Sequence, residues 1–417
     1  MSKQNQHKPN VPELRFPEFS GEWKEKKLGE IANIVRGASP RPISDSKWFD
    51  ENSTIGWLRI SDVTAQNGRI RFLEQRLSEL GTQKTRVLYT PHLLLSIAAT
   101  VGKPVINYVE TGVHDGFLIF QKPNFYIEYM YHWLEMFSEK WRKYGQPGSQ
   151  VNLNSDIVKN QKIFIPTDKE QKKIGDFFSK LDRQIELEEK KLALLEEQKK
   201  GYMQKIFSQE LRFKDENGNE YPKWKEANLE AVLKMKEGLR RGPFGGALKK
   251  EIFIEEGYAV YEQANAIYDN QTFRYFIDEN KFNEMKNFSV KADDIIMSCS
   301  GTIGKLSLIP KNYKEGIINQ ALIRFRVSEK LNSLYFLYYM KSGMMQRKIL
   351  KSNPGSAIVN LIPVKDLKKI NLKVPSIEEQ EKISNFLHNL DSLLAKKIFK
   401  IKMMKNRKDS FLQKMFL

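Results

Sequence analysis

Two stretches of the chain return an apolar residue at alternating steps of four and three. The first runs Ile174, Phe178, Leu181, Ile185, Glu188, Leu192, Leu195, Lys199, Tyr202 and Ile206. The second runs Ile383, Leu387, Leu390, Leu394, Lys397, Ile401, Met404, Lys408, Phe411 and Met415. Eight of the ten positions are apolar in each, and the polar exceptions fall at the same two places. A seam of this spacing, kept over more than four heptads, predicts two long helices of coiled-coil type. Each is announced by a proline, Pro166 or Pro375, and a capping box, Thr167 to Glu170 or Ser376 to Glu379.

The two stretches are copies. Glu170 to Phe207 aligns with Glu379 to Phe416 at a constant shift of 209 positions, without insertion or deletion. Their charges differ where their seams agree. Residues 183–208 carry six Lys/Arg and five Asp/Glu, whereas residues 392–417 carry eight Lys/Arg and one Asp. A Glu-rich helix and a basic one suit each other through flanking charges, so a mutual pair is expected over each helix packing separately on its own domain.

The duplication extends upstream. Glu13-Leu14-Arg15-Phe16 recurs as Glu210-Leu211-Arg212-Phe213, each followed by a tryptophan, Trp23 or Trp224. HLLLSIAATVGK (92–103) matches DIIMSCSGTIGK (294–305), and WRKYGQPGSQVNL (141–153) matches QRKILKSNPGSAIVNL (346–361). Short β-branched and aromatic runs bounded by Gly, Pro and Asn read as strands: GWLRISDV, VGKPVINYV and GFLIFQKP, then YAVYEQAN, DIIMSC, LIRFRV and INLKVP. YIEYMYHWLEMFSEKWRKY and LNSLYFLYYMKSGMMQRKIL read as helices in matching places. The chain is therefore two copies of one unit, a mixed α/β or α+β domain followed by a long helix. A flexible N-terminus is expected over 1–12, domains over 13–163 and 210–372, and helical segments over 164–209 and 373–417.

Sixty-nine Lys/Arg against 51 Asp/Glu leave a net charge of +18, which points to a polyanionic partner. No apolar run approaches the length of a membrane span and the first residues lack a signal peptide's apolar core, so nucleic acid is the better polyanion and a cytoplasmic location is expected. The single Cys299 excludes an internal disulfide. Catalytic signals do not accumulate. The five histidines (His7, His92, His114, His132, His388) have no ligand spacing, and the GTIGK and ATVGK turns are too short for a phosphate loop. The sequence reads as a binding protein without catalysis or metal of its own. Duplex DNA read at two separated places fits duplicated basic domains; a two-module protein scaffold and a stand-alone DNA-binding regulator remain alternatives.

Four features together resemble the specificity subunit of type I restriction-modification systems. These are the opening PELRFPEFSGEWKEKKLGEI, the paired S-x-x-(A/G)-T-(V/I)-G-K segments, the paired PGS…NL loops, and the P-x3-E-Q-x2-I-x2-F-x3-L-D helix starts. The resemblance covers nearly the whole chain. It implies two target-recognition domains in pseudo-two-fold repeat, separated by two long antiparallel helices. Each domain is then expected to read half of a bipartite site in double-stranded DNA. The helices are expected to set the spacer and dock two modification (methyltransferase) subunits, which recruit the restriction (translocase/endonuclease) subunits. S-adenosylmethionine, ATP and Mg would belong to those partners.

Polarity shared by the two halves nominates DNA contacts. Lys103 and Lys305 follow glycines in tight turns suited to a phosphate, with Thr100 and Thr302 as further donors and Ser96 and Ser298 in the same paired segments. Arg142 with Lys143, and Arg347 with Lys348, precede the PGS loops, whose Ser149 and Ser356 are candidates to face DNA. For these basic pairs, compensation of a helix C-terminal dipole is an equal alternative. Arg36, Arg41, Arg240 and Arg241 are read as lying in early Gly/Pro-containing loops and suit bidentate guanine readout.

Overall fold

The computed structural model describes residues 10–141, 153–244, 246–351 and 363–416. The two seams fold as the central helix, Asp168–Phe207, and the C-terminal helix, Ile377–Met415. Compactness divides the chain inside both helices: one unit is Met1–Lys190 with Phe399–Leu417, the other Lys191–Ile398.

In the first unit, strand Lys24–Lys27 pairs antiparallel with Lys162–Ile165, closing the globular part at its two ends. Between them lies a five-stranded sheet in the order Asn33–Arg36, Phe117–Gln121, Leu93–Ser96, Pro104–Asn107, Arg69–Ile70. Only the last pairing is parallel. A second, three-stranded sheet is formed by Gly56–Leu58, Thr111–Val113 and Arg86–Leu88. The helix Ile127–Trp141 packs its buried Tyr129, Met130, Trp133 and Leu134 into the same core as Trp23 and Phe120. That core also takes Ile174 and Phe178 from the start of the central helix and Leu412, Met415 and Phe416 from the end of the C-terminal helix.

The second unit repeats the plan. Lys225–Asn228 pairs antiparallel with Asn371–Val374. The main sheet runs Leu239–Arg241, Leu322–Phe325, Ile295–Ser298, Leu306–Leu308, beside a three-stranded sheet of Phe276–Ile277, Tyr258–Tyr261 and Gly316–Ile318. Its core takes Ile383 and Leu387 from the start of the C-terminal helix and Ile206 and Phe207 from the end of the central one. The matching helix is not continuous here. It breaks between Ser333–Lys341 and Gly343–Lys351, where the Ser342 hydroxyl accepts from Met345 N at 3.3 Å and restarts the helix ahead of a poor helix former, Gly343.

Within each unit the helical segments are antiparallel. In the first, Phe177 meets Phe411, and Lys400 and Lys408 pair with Glu188 (3.3 Å) and Asp182 (2.6 Å). In the second, Tyr202 meets Phe386 and Lys199 pairs with Asp391. Partner numbers rise on one helix as they fall on the other, which is the antiparallel signature. All twelve aliphatic and aromatic seam positions Ile174, Phe178, Leu181, Ile185, Leu192, Leu195, Ile383, Leu387, Leu390, Leu394, Ile401 and Met404 are buried or half-buried. The expected choice between a mutual pair and separate packing resolves into both: the helix ends are domain core as well as seam.

Candidate nucleic-acid interface

The segments that open each domain are held by the helix starts. Arg15 reaches across to Glu170 in a bidentate pair of 2.7 and 2.8 Å, and Arg212 does the same to Glu379 at 3.1 and 2.6 Å. Both glutamates are almost fully buried, so each is an ion pair whose loss strands a carboxylate. The next residue, Gln171 or Gln380, donates to the proline carbonyl five positions back. It also accepts the backbone N–H of Tyr126 (3.0 Å) or Asn332 (2.8 Å), where the domain helix begins. The repeated Arg-Phe and Glu-Gln motifs are therefore scaffold: they fix each domain on its helix.

On that scaffold, one corner repeats. In the first unit Arg36 ends a strand, and its Nε donates to the Asp115 carbonyl at 2.6 Å. Arg41, with its side chain 80% exposed, pairs with the Asp115 carboxylate at 2.8 Å. Ser39 Oγ donates to the other oxygen of Asp115 at 2.8 Å. Burial disfavours the charged carboxylate, but Ser39, His114 and the two arginines outweigh it and hold its pKa below the usual value. Burial, aided by the same arginines, pushes the neighbouring His114 down, and its Nδ1 accepts the Gly116 N–H at 2.8 Å. Asp115, which no sequence signal singled out, organises this corner.

The two domains share backbone contacts at this point. Gly37 N donates to the Phe117 carbonyl and Gly242 N to the Leu322 carbonyl, each at 2.9 Å. A Cβ at Gly37 would lie 2.2 Å from the His114 carbonyl oxygen, and one at Gly242 would lie 1.8 Å from that of Asn319. Only glycine passes there, and the preceding residue, Arg36 or Arg241, ends its strand in both. The counterpart of Asp115 is Gln320, so the second corner lacks the tethering carboxylate. Arg240 and Arg241 are half-buried, and the Nε of each is buried without a hydrogen-bond partner among the described residues. The Arg241 guanidinium lies 5.5 Å from the ring of Phe244, an exposed side chain that the sequence reading passed over.

The paired loops meet these corners. Ile97 N donates to the Gly116 carbonyl and Cys299 N to the Ala321 carbonyl, each at 2.8 Å. This sets the Ser96–Lys103 loop beside Arg36 and Arg41, and the Ser298–Lys305 loop beside Arg240 and Arg241. Ser96 and Ser298 are fully buried. The Ser96 hydroxyl contacts the Ala98 carbonyl and Thr100 Oγ1, while that of Ser298 donates to the Thr302 carbonyl and accepts from Lys305 N. These serines shape the turn from inside, and their buried, engaged hydroxyls do not face a ligand, in contrast to the expectation that they contact DNA. Thr302 and Lys305 are exposed, Thr100 and Lys103 half-buried, and the lysines have no ion-pair partner among the described residues.

The remaining candidates divide. Lys348 donates to the Asn371 carbonyl at 3.0 Å, consistent with a structural role. Arg347 is exposed and lines a cavity against the central helix rather than the corner just described. Arg142, Lys143, Ser149 and Ser356 lie outside the described residues. Among the described residues no group of His, Cys, Asp or Glu is arranged to hold a metal ion, and no helix is long and apolar enough to cross a membrane.

A basic strand end beside a Gly-Lys turn, built twice on a paired-helix frame, defines a duplicated recognition protein. The chain belongs to the type I restriction-modification DNA specificity family, whose model matches residues 20–197 and again 223–403. Among curated relatives, the type I restriction enzyme MjaVIII specificity subunit of Methanocaldococcus jannaschii is 23% identical over 91% of this chain and 88% of its own. The putative MjaX specificity subunit of the same organism is 26% identical over 92% and 90%. Among solved structures, the S subunit from M. genitalium aligns with a TM-score of 0.57 at 14% identity, covering 98% of this chain and 99% of its own. A chain from a structure of type I restriction-modification complex assembly and conformational transition aligns at 0.60 and 15%, covering 94% and 97%. At these identities the structural likeness speaks to fold.

Proposed function

We propose that this chain is the non-catalytic subunit that gives a type I restriction-modification complex its DNA sequence. Each domain reads one half of a bipartite, asymmetric site in duplex DNA. The helices set the spacing and dock two methyltransferase subunits, through which restriction subunits join. S-adenosylmethionine, ATP and Mg are bound by those partners. The observation that carries the reading is the repeated corner: in each domain, arginines at a strand end stand beside an Lys-bearing turn without an ion-pair partner for that lysine among the described residues. Ammonium groups so placed suit phosphates, and exposed guanidinium groups suit guanine edges. The difference at the tether position, Asp115 against Gln320, fits two domains that read different sequences.

The test is salt dependence. Replacing Lys103 and Lys305 together by Ala is expected to weaken binding on every DNA sequence and to flatten the log–log salt slope by about two units, one per phosphate contact. An unchanged slope removes these lysines from the interface. Wild-type binding that is flat in salt removes DNA as the partner and favours a protein scaffold.

A further inference from the structure

The second unit holds a cavity of about 600 Å³ between the end of the central helix and the break at Ser342. Met203, Phe207 and Met344 give it an apolar floor. Lys199, Lys200, Lys341 and Arg347 stand around it, against a single carboxylate, Glu196. Lys199 is engaged by Asp391. Lys200, Lys341 and Arg347 have no hydrogen-bond or ion-pair partner among the described residues.

The first unit shows what this place looks like when its charge is matched. The hydrogen bonds of Gln171 to Tyr126 N and of Gln380 to Asn332 N set the domain helices in register, so Lys341 corresponds to Glu135 and Lys199 to Lys408. Glu135 and Lys408 pair at 2.7 Å, and the helix that carries Glu135 runs unbroken to Trp141. In the second unit a lysine replaces the glutamate and the helix breaks one residue later. The carboxylates whose charge acts on Lys341 are engaged elsewhere, Asp391 by Lys199 and Tyr338, and Asp269 by Ser307. Burial pushes the pKa of the Lys341 ammonium down, the mark of a cation short of a partner.

We propose that this cavity receives an acidic side chain flanked by an apolar one, presented by a modification subunit. A protein segment fits better than DNA for two reasons. The floor is apolar, which suits a side chain leaving water and not a hydrated phosphate. None of the turn and strand-end residues of the DNA-facing corner lines it. The inference rests on the reading that two modification subunits dock on this chain, and it adds that they are not held alike: the corresponding recess of the first unit holds the Glu135–Lys408 pair, and among the described residues its carboxylates outnumber its cations.

The experiment is native mass spectrometry of the full chain co-expressed with its modification subunit, titrated with salt. Two variants are compared with wild type: Lys341→Glu with Arg347→Glu, and Lys341→Met, which removes the charge and keeps the packing. Both are expected to populate a complex with one modification subunit under conditions where wild type carries two. The concentration for the second binding event is expected to rise about tenfold or more, the scale of losing one desolvated charge pair. Their unfolding temperatures should match wild type. Variants that keep both subunits as wild type does, or that lose both together, overturn the inference. A wild-type chain that binds no modification subunit overturns the docking reading itself.

Discussion

Lys408 shows how a single residue explains a flaw in the pattern. In sequence it is one of two polar interruptions of an apolar seam; in the fold it sits almost buried between Glu135 (2.7 Å) and Asp182 (2.6 Å), with His132 against the same Glu135 at 3.0 Å. Its counterpart Lys199 pairs with Asp391 and lies over the Tyr338 ring. Burial works against a charged Glu135, but His132 and Lys408 outweigh it and bring its pKa down to about 2. A carboxyl depressed in the folded state stabilises fully above its ordinary value of 4.5 and loses that contribution as the pH falls toward 2. Lys408→Met should therefore cost about 2 kcal/mol near neutrality, because two half-buried carboxylates lose their cation. Its unfolding temperature should also fall less steeply than that of wild type between pH 5 and 3. Thermal scans across pH check both; parallel curves would show that Lys408 does not set the ionisation. The bidentate pairs of Arg15 with Glu170 and Arg212 with Glu379 make a related case. Arg212→Ala is expected to destabilise the second unit by a similar amount, and denaturant unfolding of the full chain would show the loss.

The long helices were legible because a heptad seam is a local signal, repeated at a constant shift. Their partner assignment also followed from sequence, since the Glu-rich stretch meets the basic one through Glu188 with Lys400 and Glu189 with Lys405. The sheet order was not legible. It depends on pairings between segments far apart, such as Asn33–Arg36 with Phe117–Gln121, that leave no periodic trace. The break at Ser342 was missed because the apolar spacing continues across it. The candidate site was legible only as shared polarity: the sequence nominated Lys103 and Lys305, but the burial of Ser96 and Ser298 and the tether at Asp115 needed the fold. A prediction follows from the helical register. Seven residues inserted after Leu195 keep the heptad but leave the partner short; inserting seven more after Leu394, on the opposing helix, restores the match. That doubly extended chain should support modification at a site whose non-specific spacer is longer by at most about 3 bp, since seven residues add about 10 Å of helix and a base pair rises about 3.4 Å. Methylation mapping in cells checks it, and an active variant with an unchanged spacer would show that the helices do not set the distance.

At the scale of the whole molecule, the fold is two quasi-equivalent units that share a frame and differ at the corners proposed to read DNA. Equivalence is maintained where residues hold the scaffold: Arg15 and Arg212, Glu170 and Glu379, Gln171 and Gln380, Gly37 and Gly242. It is abandoned at the corners, where Asp115 tethers Arg41 in one unit and Arg241 lies by Phe244 in the other. A frame held constant under variable corners predicts that recognition is modular. Replacing residues 13–163 by the same segment of a related specificity chain keeps Arg15 opposite Glu170 if the incoming segment supplies the matching arginine, so docking on the helix survives. The methylated motif should then change in one half only, with the other half and the spacer intact. The backbone hydrogen bonds described for the corner of the second unit all join residues within 239–325. Single-molecule methylation mapping of the exchanged chain decides the point. A change in both halves of the motif would mean that each domain shapes the other's reading, and the repeated frame would then be a route of coupling instead of a neutral support.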